Sequence, residues 1–401
     1  MGVTAVSAIQ AAGSRFCRIH RIFSFVCNQE LLFVQTGQLV LCFGVWCFDH
    51  PYVKTAEIAT FSMGLKKGWP DKGHGPGYIK RGGMYYFNQT TIDRVPLDII
   101  QKAVEQAYHL QQTDACRMPD RIHVPDRKNT LLVMPCFSDA FVAAKLVTVF
   151  PEAPESGFPV VNGMVILADN HTGQPLAILD GAALTARRTG AVGGLAVACL
   201  TPESVKTAGI IGTGVQGRSQ AEFLLFNRRI KTLWLADVNP TAAHDMARDI
   251  GHAHPHVTCR IAGSARQLMK DSQVVIAATT SAAPVFEADM SEVRGKTFIS
   301  IGSFTPEMKE FPDAVIRGAD AVYVDTLFAA RESGDICRPL AEQIIPKDKI
   351  QAFSSVLERS LDTEERTVFF KSVGMALFDL TAAAAVYEWG SSENQGQVLT
   401  A

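Results

Sequence analysis

Apolar and polar positions along the chain follow three different patterns. Between residues 84 and 200, short apolar runs alternate with turn residues. Segments 85–88, 130–135, 143–150, 164–169 and 176–180 read as strands, separated at 126–129, 151–157 and 170–173. Within 95–112, Leu97, Ile100, Val104, Ala107 and Tyr108 recur at helical spacing, with Pro96 suited to a first turn. Segment 182–200 is a helix of small residues, among them Ala186, Gly190, Gly193 and Gly194. Such a surface lets another backbone approach closely.

From 205 to about 325 the pattern changes to buried strands alternating with helices. The strands fall at 205–211, 232–238, 257–261, 274–279, 297–301 and 321–325, with helices between the first four. This alternation predicts an α/β fold with a doubly wound parallel sheet. A further helix is expected within 363–389, carrying Val368, Ser372, Met375, Ala376, Asp379 and Ala383, and returning to the earlier α+β region. The expected domains are therefore 84–200, a discontinuous α+β domain; 201–330, a Rossmann domain; and 331–392, the return to the first.

Residues 1–83 show neither period. Arg15, Arg18 and Arg21 precede an apolar stretch at 31–48, as in a leader or an anchor. Gln35, Thr36 and Gln38 interrupt that stretch, and 66–83 is loop-forming. The favoured reading is an extension outside the fold, with Met84 a candidate start; a targeting or anchoring segment is the alternative.

Composition narrows the class. The 401 residues suffice for two cores, and a formal net charge of −2 gives no footprint for nucleic acid or an acidic membrane surface. The nine cysteines have no CxxC or metal-like spacing, which fits reduced thiols in the cytoplasm. His252-Ala-His-Pro-His256 reads as a solvent loop, so no metal is expected.

The sharpest chemistry is Gly212-Thr213-Gly214-Val215-Gln216-Gly217, directly after a strand and opening a helix. Bare backbone N–H groups at a helix N-terminus attract a pyrophosphate. Asp237 ends the next strand about 20 residues on, where a carboxylate can bond the ribose 2′-hydroxyl and repel a 2′-phosphate. NADH or NADPH is the expected cofactor, with NAD favoured. Thr279 and Ser303, at strand ends, are candidates for the nicotinamide side.

Four places remain for a substrate: Arg121, Lys145, Arg187-Arg188 and the loop from Gly302 to Glu310. A lysine among Ala, Leu and Val costs several kcal/mol if buried unpaired. Lys145 with one or two arginines makes a clamp for a carboxylate.

In order, the motifs MPDRIHV, AAKLVTVFP, TGQPLAILDGAALTARRTGA, GIIGTGVQGRSQAEFL, IGSFTPEMKE and ESGDICRPL resemble the ornithine cyclodeaminase/mu-crystallin family from about Met84 to Trp389. The resemblance implies that Arg121, Lys145 and Arg188 hold a substrate carboxylate, and that two copies pair through the first domain. One departure matters. The family's cyclodeaminases carry an acid/base aspartate where this chain has Phe304, and Met308 replaces a lysine. The ketimine reductases of the family need no such group, because their substrate is already an imine. The resemblance therefore implies reduction of a small cyclic imino acid, Δ1-pyrroline-2-carboxylate to L-proline or the six-membered homologue. Phe304 would pack on the ring, and Lys145 would deliver or tune the proton. Ornithine cyclodeamination, with Glu307 or Glu310 as the replacement acid, is the alternative; open-chain 2-oxo acid amination and non-catalytic NAD(P)H binding are others.

Overall fold

The computed structural model describes residues 83–357 and 363–400, together with strands β1 (Phe25–Cys27), β2 (Glu30–Gln35) and β3 (Gln38–Cys42). These three form an antiparallel ladder in a unit, Met1–Lys72, distinct from the unit Gly73–Ala401 that holds everything below. The expectations of an extension, a leader or an anchor over 1–83 otherwise lie outside the described residues.

The first large sheet is built from β4 (Gly83–Phe87), β5 (Cys116–Arg117), β6 (Ile122–Asp126), β7 (Asn129–Ser138), β8 (Phe141–Val149), β9 (Val161–Asp169) and β10 (Pro175–Asp180). Between β4 and β5 run helices α1 (Gln89–Asp93) and α2 (Leu97–Gln112), and α3 (Gly181–Leu200) follows β10. All neighbours are antiparallel except β10 and β4. Alternation along β8 turns Ala143 and Lys145 to the buried face. There Lys145 stands opposite Met134 on β7 and Val165 on β9.

The second sheet follows the doubly wound plan: β11 (Thr207–Ile211), α4 (Val215–Asn227), β12 (Thr232–Ala236), α5 (Pro240–Ala253), β13 (Thr258–Ile261), α6 (Ala265–Asp271) and β14 (Val274–Ala277). It continues through α7 (Met290–Val293), β15 (Thr297–Ser300), α8 (Asp313–Gly318), β16 (Ala321–Val324), α9 (Ala329–Glu332), α10 (Gly334–Ala341), β17 (Ile350–Ala352) and β18 (Val368–Lys371). The order is β13-β12-β11-β14-β15-β18-β16-β17, parallel throughout. Every residue of β14, β15, β16 and β18 is buried, as expected of strands covered on both faces.

Two expectations need correction. The helix read across 363–389 begins only at α11 (Ala376–Ser392), and Val368–Lys371 is a strand wedged between β15 and β16. Its Val-Phe-Phe core suits a two-sided buried strand, and Gly374 at φ +77° breaks any helix before α11. Consequently β17 and β18 belong to the parallel sheet, and the return to the first sheet starts at α11, not at 331. After α11 the chain adds β19 (Gln397–Thr400) to the first sheet, antiparallel to β4.

α11 packs on β7, β8, β9, α2 and α3. The small residues of α3 serve its approach to α4, where a Cβ on Gly194 would stand 2.7 Å from Phe223. Among the described residues no helix is long and apolar enough to cross a membrane.

Candidate active site

The glycine loop sits between β11 and α4. Gly212 has φ +90°, and a Cβ there would lie 2.6 Å from the carbonyl of Ala278. A Cβ on Gly217 would collide with the carbonyl of Gly212. Around Gly214, the N-cap of α4, there is instead nothing within 4 Å. Bare backbone at a helix start, facing open space, fits a pyrophosphate. The buried Oε1 of Gln216, one turn in, has no partner, and Val215 is 69% exposed.

Asp237 closes the loop from the neighbouring strand. Its Oδ2 accepts from the backbone N–H of Thr213 at 2.6 Å and its hydroxyl at 2.9 Å, and Oδ1 accepts from Asn239 N–H at 2.8 Å. Burial pushes the carboxyl up, but these donors outweigh it and hold it below the usual range. Asp237 therefore positions the glycine loop.

At the strand ends beside this loop lies a fully buried polar network that the sequence reading missed. Glu310 accepts from Thr279 N–H at 2.6 Å, the Ser300 hydroxyl at 2.7 Å, Gly302 N–H at 2.8 Å and Ser303 N–H at 3.2 Å. Asp335 accepts from the backbone N–H groups of Glu310 and Phe311, each at 3.0 Å, and from the hydroxyls of Ser300 and Ser303. Lys371 donates to the Ser300 hydroxyl at 2.9 Å. Burial raises Glu310 and lowers Lys371 from their usual values. Ser303 is completely buried, its hydroxyl engaged by Asp335 and Ser333. Its side chain braces the loop from inside. Thr279 stays at the rim, its hydroxyl on Glu310 and its methyl beside Gly212.

Three cations gather where the chain crosses from β18 to α11. Asp325, at the end of β16, accepts from Ser372, Val373 and Gly374 at 2.7–2.9 Å and fixes this crossing. Arg121 donates to the Gly374 carbonyl at 3.2 Å and to Glu332 at 3.3 Å. The Arg188 guanidinium lies on the other side of Gly374, 2.8 Å from where a Cβ would stand. Lys145 and Arg188 both reach Asp379 in the first turn of α11, at 2.8 and 3.2 Å. All three side chains are nearly inaccessible. Burial draws Lys145 down to about 8, against the pull of Asp379; Arg188 and Arg121 push it further down. For Asp379 burial acts upward, but Lys145 and Arg188 prevail and its carboxyl is held low.

Arg121, Met134, Phe328, Glu332, Gly374 and Met375 line a cleft here; Lys145 is the ladder partner of Met134, and Arg188 lies beside Gly374. Phe304, expected against a substrate ring, is 48% exposed and does not line the cleft; Phe328 and the two methionines form its apolar walls. Glu310 has both oxygens engaged in the network, and Glu307 is exposed. Asp379 and Glu332 were missed as site residues. The signal for Asp379 was the same as for Lys145: a charge inside the apolar run ALFDLTAAAAV. No group of three or more potential metal ligands occurs among the described residues.

This sequence matches the ornithine cyclodeaminase/mu-crystallin family over residues 88–394. The chain belongs to that family. A Δ1-pyrroline-2-carboxylate reductase of Bacillus cereus is 32% identical over 302 residues, 73% of this chain and 92% of the relative. The solved structure of the Thermococcus litoralis Δ1-pyrroline-2-carboxylate reductase, in complex with NADH and L-proline, is 29% identical with a TM-score of 0.72. It covers 78% of this chain and 99% of its own. An archaeal alanine dehydrogenase dimer with bound NAD is 26% identical, also at TM-score 0.72, covering 79% and 99%.

Proposed function

We propose that the protein reduces a small cyclic imino acid, Δ1-pyrroline-2-carboxylate to L-proline, with NADH or NADPH. The observation that carries this reading is the gathering of Arg121, Lys145 and Arg188 around Gly374 and Asp379, with Arg121 on the cleft, in a chain that also carries a dinucleotide-type glycine loop. It is supported by relatives named for that reaction at 32% identity. Bound NAD(P)H supplies a hydride to the imine carbon. The chain's own residues fix the geometry. Arg121 meets the carboxylate at the cleft surface, while Lys145 and Arg188 hold positive charge behind it. Met134, Phe328 and Met375 exclude water from an apolar ring. Lys145 serves as a clamp whose charge Asp379 sustains.

Asp237 supports NADH over NADPH, since its carboxylate would face a 2′-phosphate. A homodimer is proposed through the first sheet, where Ile122, Val124, Phe158, Val161 and Met164 are each 45–66% exposed. The free thiols of Cys116, Cys136, Cys199, Cys259 and Cys337 fit a reducing compartment such as the cytoplasm.

The test is loss of NADH or NADPH absorbance with pyrroline-2-carboxylate, piperideine-2-carboxylate, pyruvate plus ammonia, and ornithine. Stoichiometric oxidation with a cyclic imine is expected. Proline formed from ornithine without net NADH loss would favour cyclodeamination. No oxidation of either cofactor with any imine would sink the proposal.

A further inference from the structure

We propose that Glu332 is the catalytic carboxyl that holds the proton on the substrate's imine nitrogen, an assignment that rests on the reductase reading above. In a 2-imino acid the nitrogen and the carboxylate sit on the same carbon. Whatever meets the nitrogen must therefore stand directly beside whatever meets the carboxylate. Glu332 does so: its Oε2 is 3.3 Å from the Arg121 guanidinium, and both side chains are about one-fifth exposed on the same cleft. Its Oε1 accepts no hydrogen bond among the described residues.

The neighbouring carboxylates are committed elsewhere. Asp379 divides its oxygens between Lys145 and Arg188 and is 1% exposed. Asp325 is fully buried and accepts from Thr326, Ser372, Val373 and Gly374. Glu310 is fully buried in the strand-end network. Asp120 also lines the cleft, but on its exposed rim.

The charged and titratable groups that face Glu332 are Arg121, Asp120 and His123 from the first sheet's edge, and Asp325 from β16. Burial is the largest influence and raises its carboxyl above the usual range; Arg121 opposes this. A carboxyl so placed can exchange a proton with an imine.

The step balances with one proton and one hydride. Either the Glu332 acid gives its proton to a neutral imine, breaking O–H and forming N–H, or an iminium arrives with that proton and pairs with the carboxylate. Hydride from the reduced nicotinamide then forms the C–H bond, and the C=N π pair becomes the nitrogen lone pair. The amine leaves neutral, or takes a further proton from water. The reduced nicotinamide is oxidised and the imine reduced.

The experiment compares wild type, Glu332→Gln and Glu332→Asp. Calorimetry would measure binding of L-proline and of cyclopentanecarboxylate, which has the ring and carboxylate but no nitrogen. Steady-state kinetics with pyrroline-2-carboxylate would separate kcat from KM. In Glu332→Gln we expect L-proline affinity to fall at least tenfold while cyclopentanecarboxylate binds as before. We expect kcat to drop about 100-fold or more, with partial recovery in Glu332→Asp. If both ligands weaken together, Glu332 only orients Arg121 and the assignment is wrong; it is equally wrong if neither weakens and kcat is kept. Wild type that turns over no cyclic imine would overturn the functional reading itself, and this assignment with it.

Discussion

Lys145 shows how a single residue can be legible in sequence while its setting is not. A lysine between Ala144 and Leu146 on an apolar strand announces a buried charge, because exposure on that face is denied by the two-residue period. What the strand cannot announce is the partner, since Asp379 lies 234 residues away on another element. The consequence is a specific pH dependence. Lys145 is charged below about 8 and neutral above, so the clamp is present at low pH and lost as pH rises through that value. kcat/KM for an anionic imino acid should therefore fall across about pH 8 in the free enzyme. Lys145→Met should lower kcat/KM about 10- to 100-fold at neutral pH, the worth of a charged hydrogen bond, and abolish that limb. A variant whose pH profile matched wild type would remove Lys145 from the clamp.

At the scale of elements, strands and helices with strong periodicity lie where the pattern puts them, within a few residues at each end. β18 does not, because four residues of Val-Phe-Phe-Lys carry no period and gain their strand identity from the two neighbours between which they are inserted. Lys371 at its end is fully buried against Ser300, with the charges of Glu310 and Asp335 acting on it. This network joins the ends of β14, β15 and β18, and Glu310 is its centre. Glu310→Ala would leave the donors of Thr279, Ser300, Gly302 and Ser303 short of an acceptor and Lys371 short of a counter-charge. The expected cost is about 3–5 kcal/mol, the usual range for breaking a buried charge pair. Urea denaturation checks it, and a loss under about 1 kcal/mol would show that the network relaxes without Glu310.

Across the whole molecule, the site exists because the chain changes sheets. β18 ends among the Rossmann strands, Asp325 pins residues 372–374, and α11 carries Asp379 onto the face that holds Lys145. The opposite face of that first sheet remains apolar and exposed at Ile122, Val124 and Met164. Sedimentation should find a dimer, and the double substitution Ile122→Glu with Met164→Glu should yield a monomer that still binds NADH; an unchanged dimer would move the interface elsewhere. Local pattern was enough to determine a glycine loop after a strand, an acid closing the next strand, alternating β/α order and three conspicuous cations, because each depends on neighbours within a turn or a pleat. The tertiary structure alone decided that Asp379 balances two of those cations, that Ser303 and Glu310 brace the loop from inside, that Phe304 stands off the cleft, and that Glu332 meets Arg121. The ion pairs of Asp379 and Glu332 join residues about two hundred positions apart, and only tertiary packing brings their charges within hydrogen-bond distance.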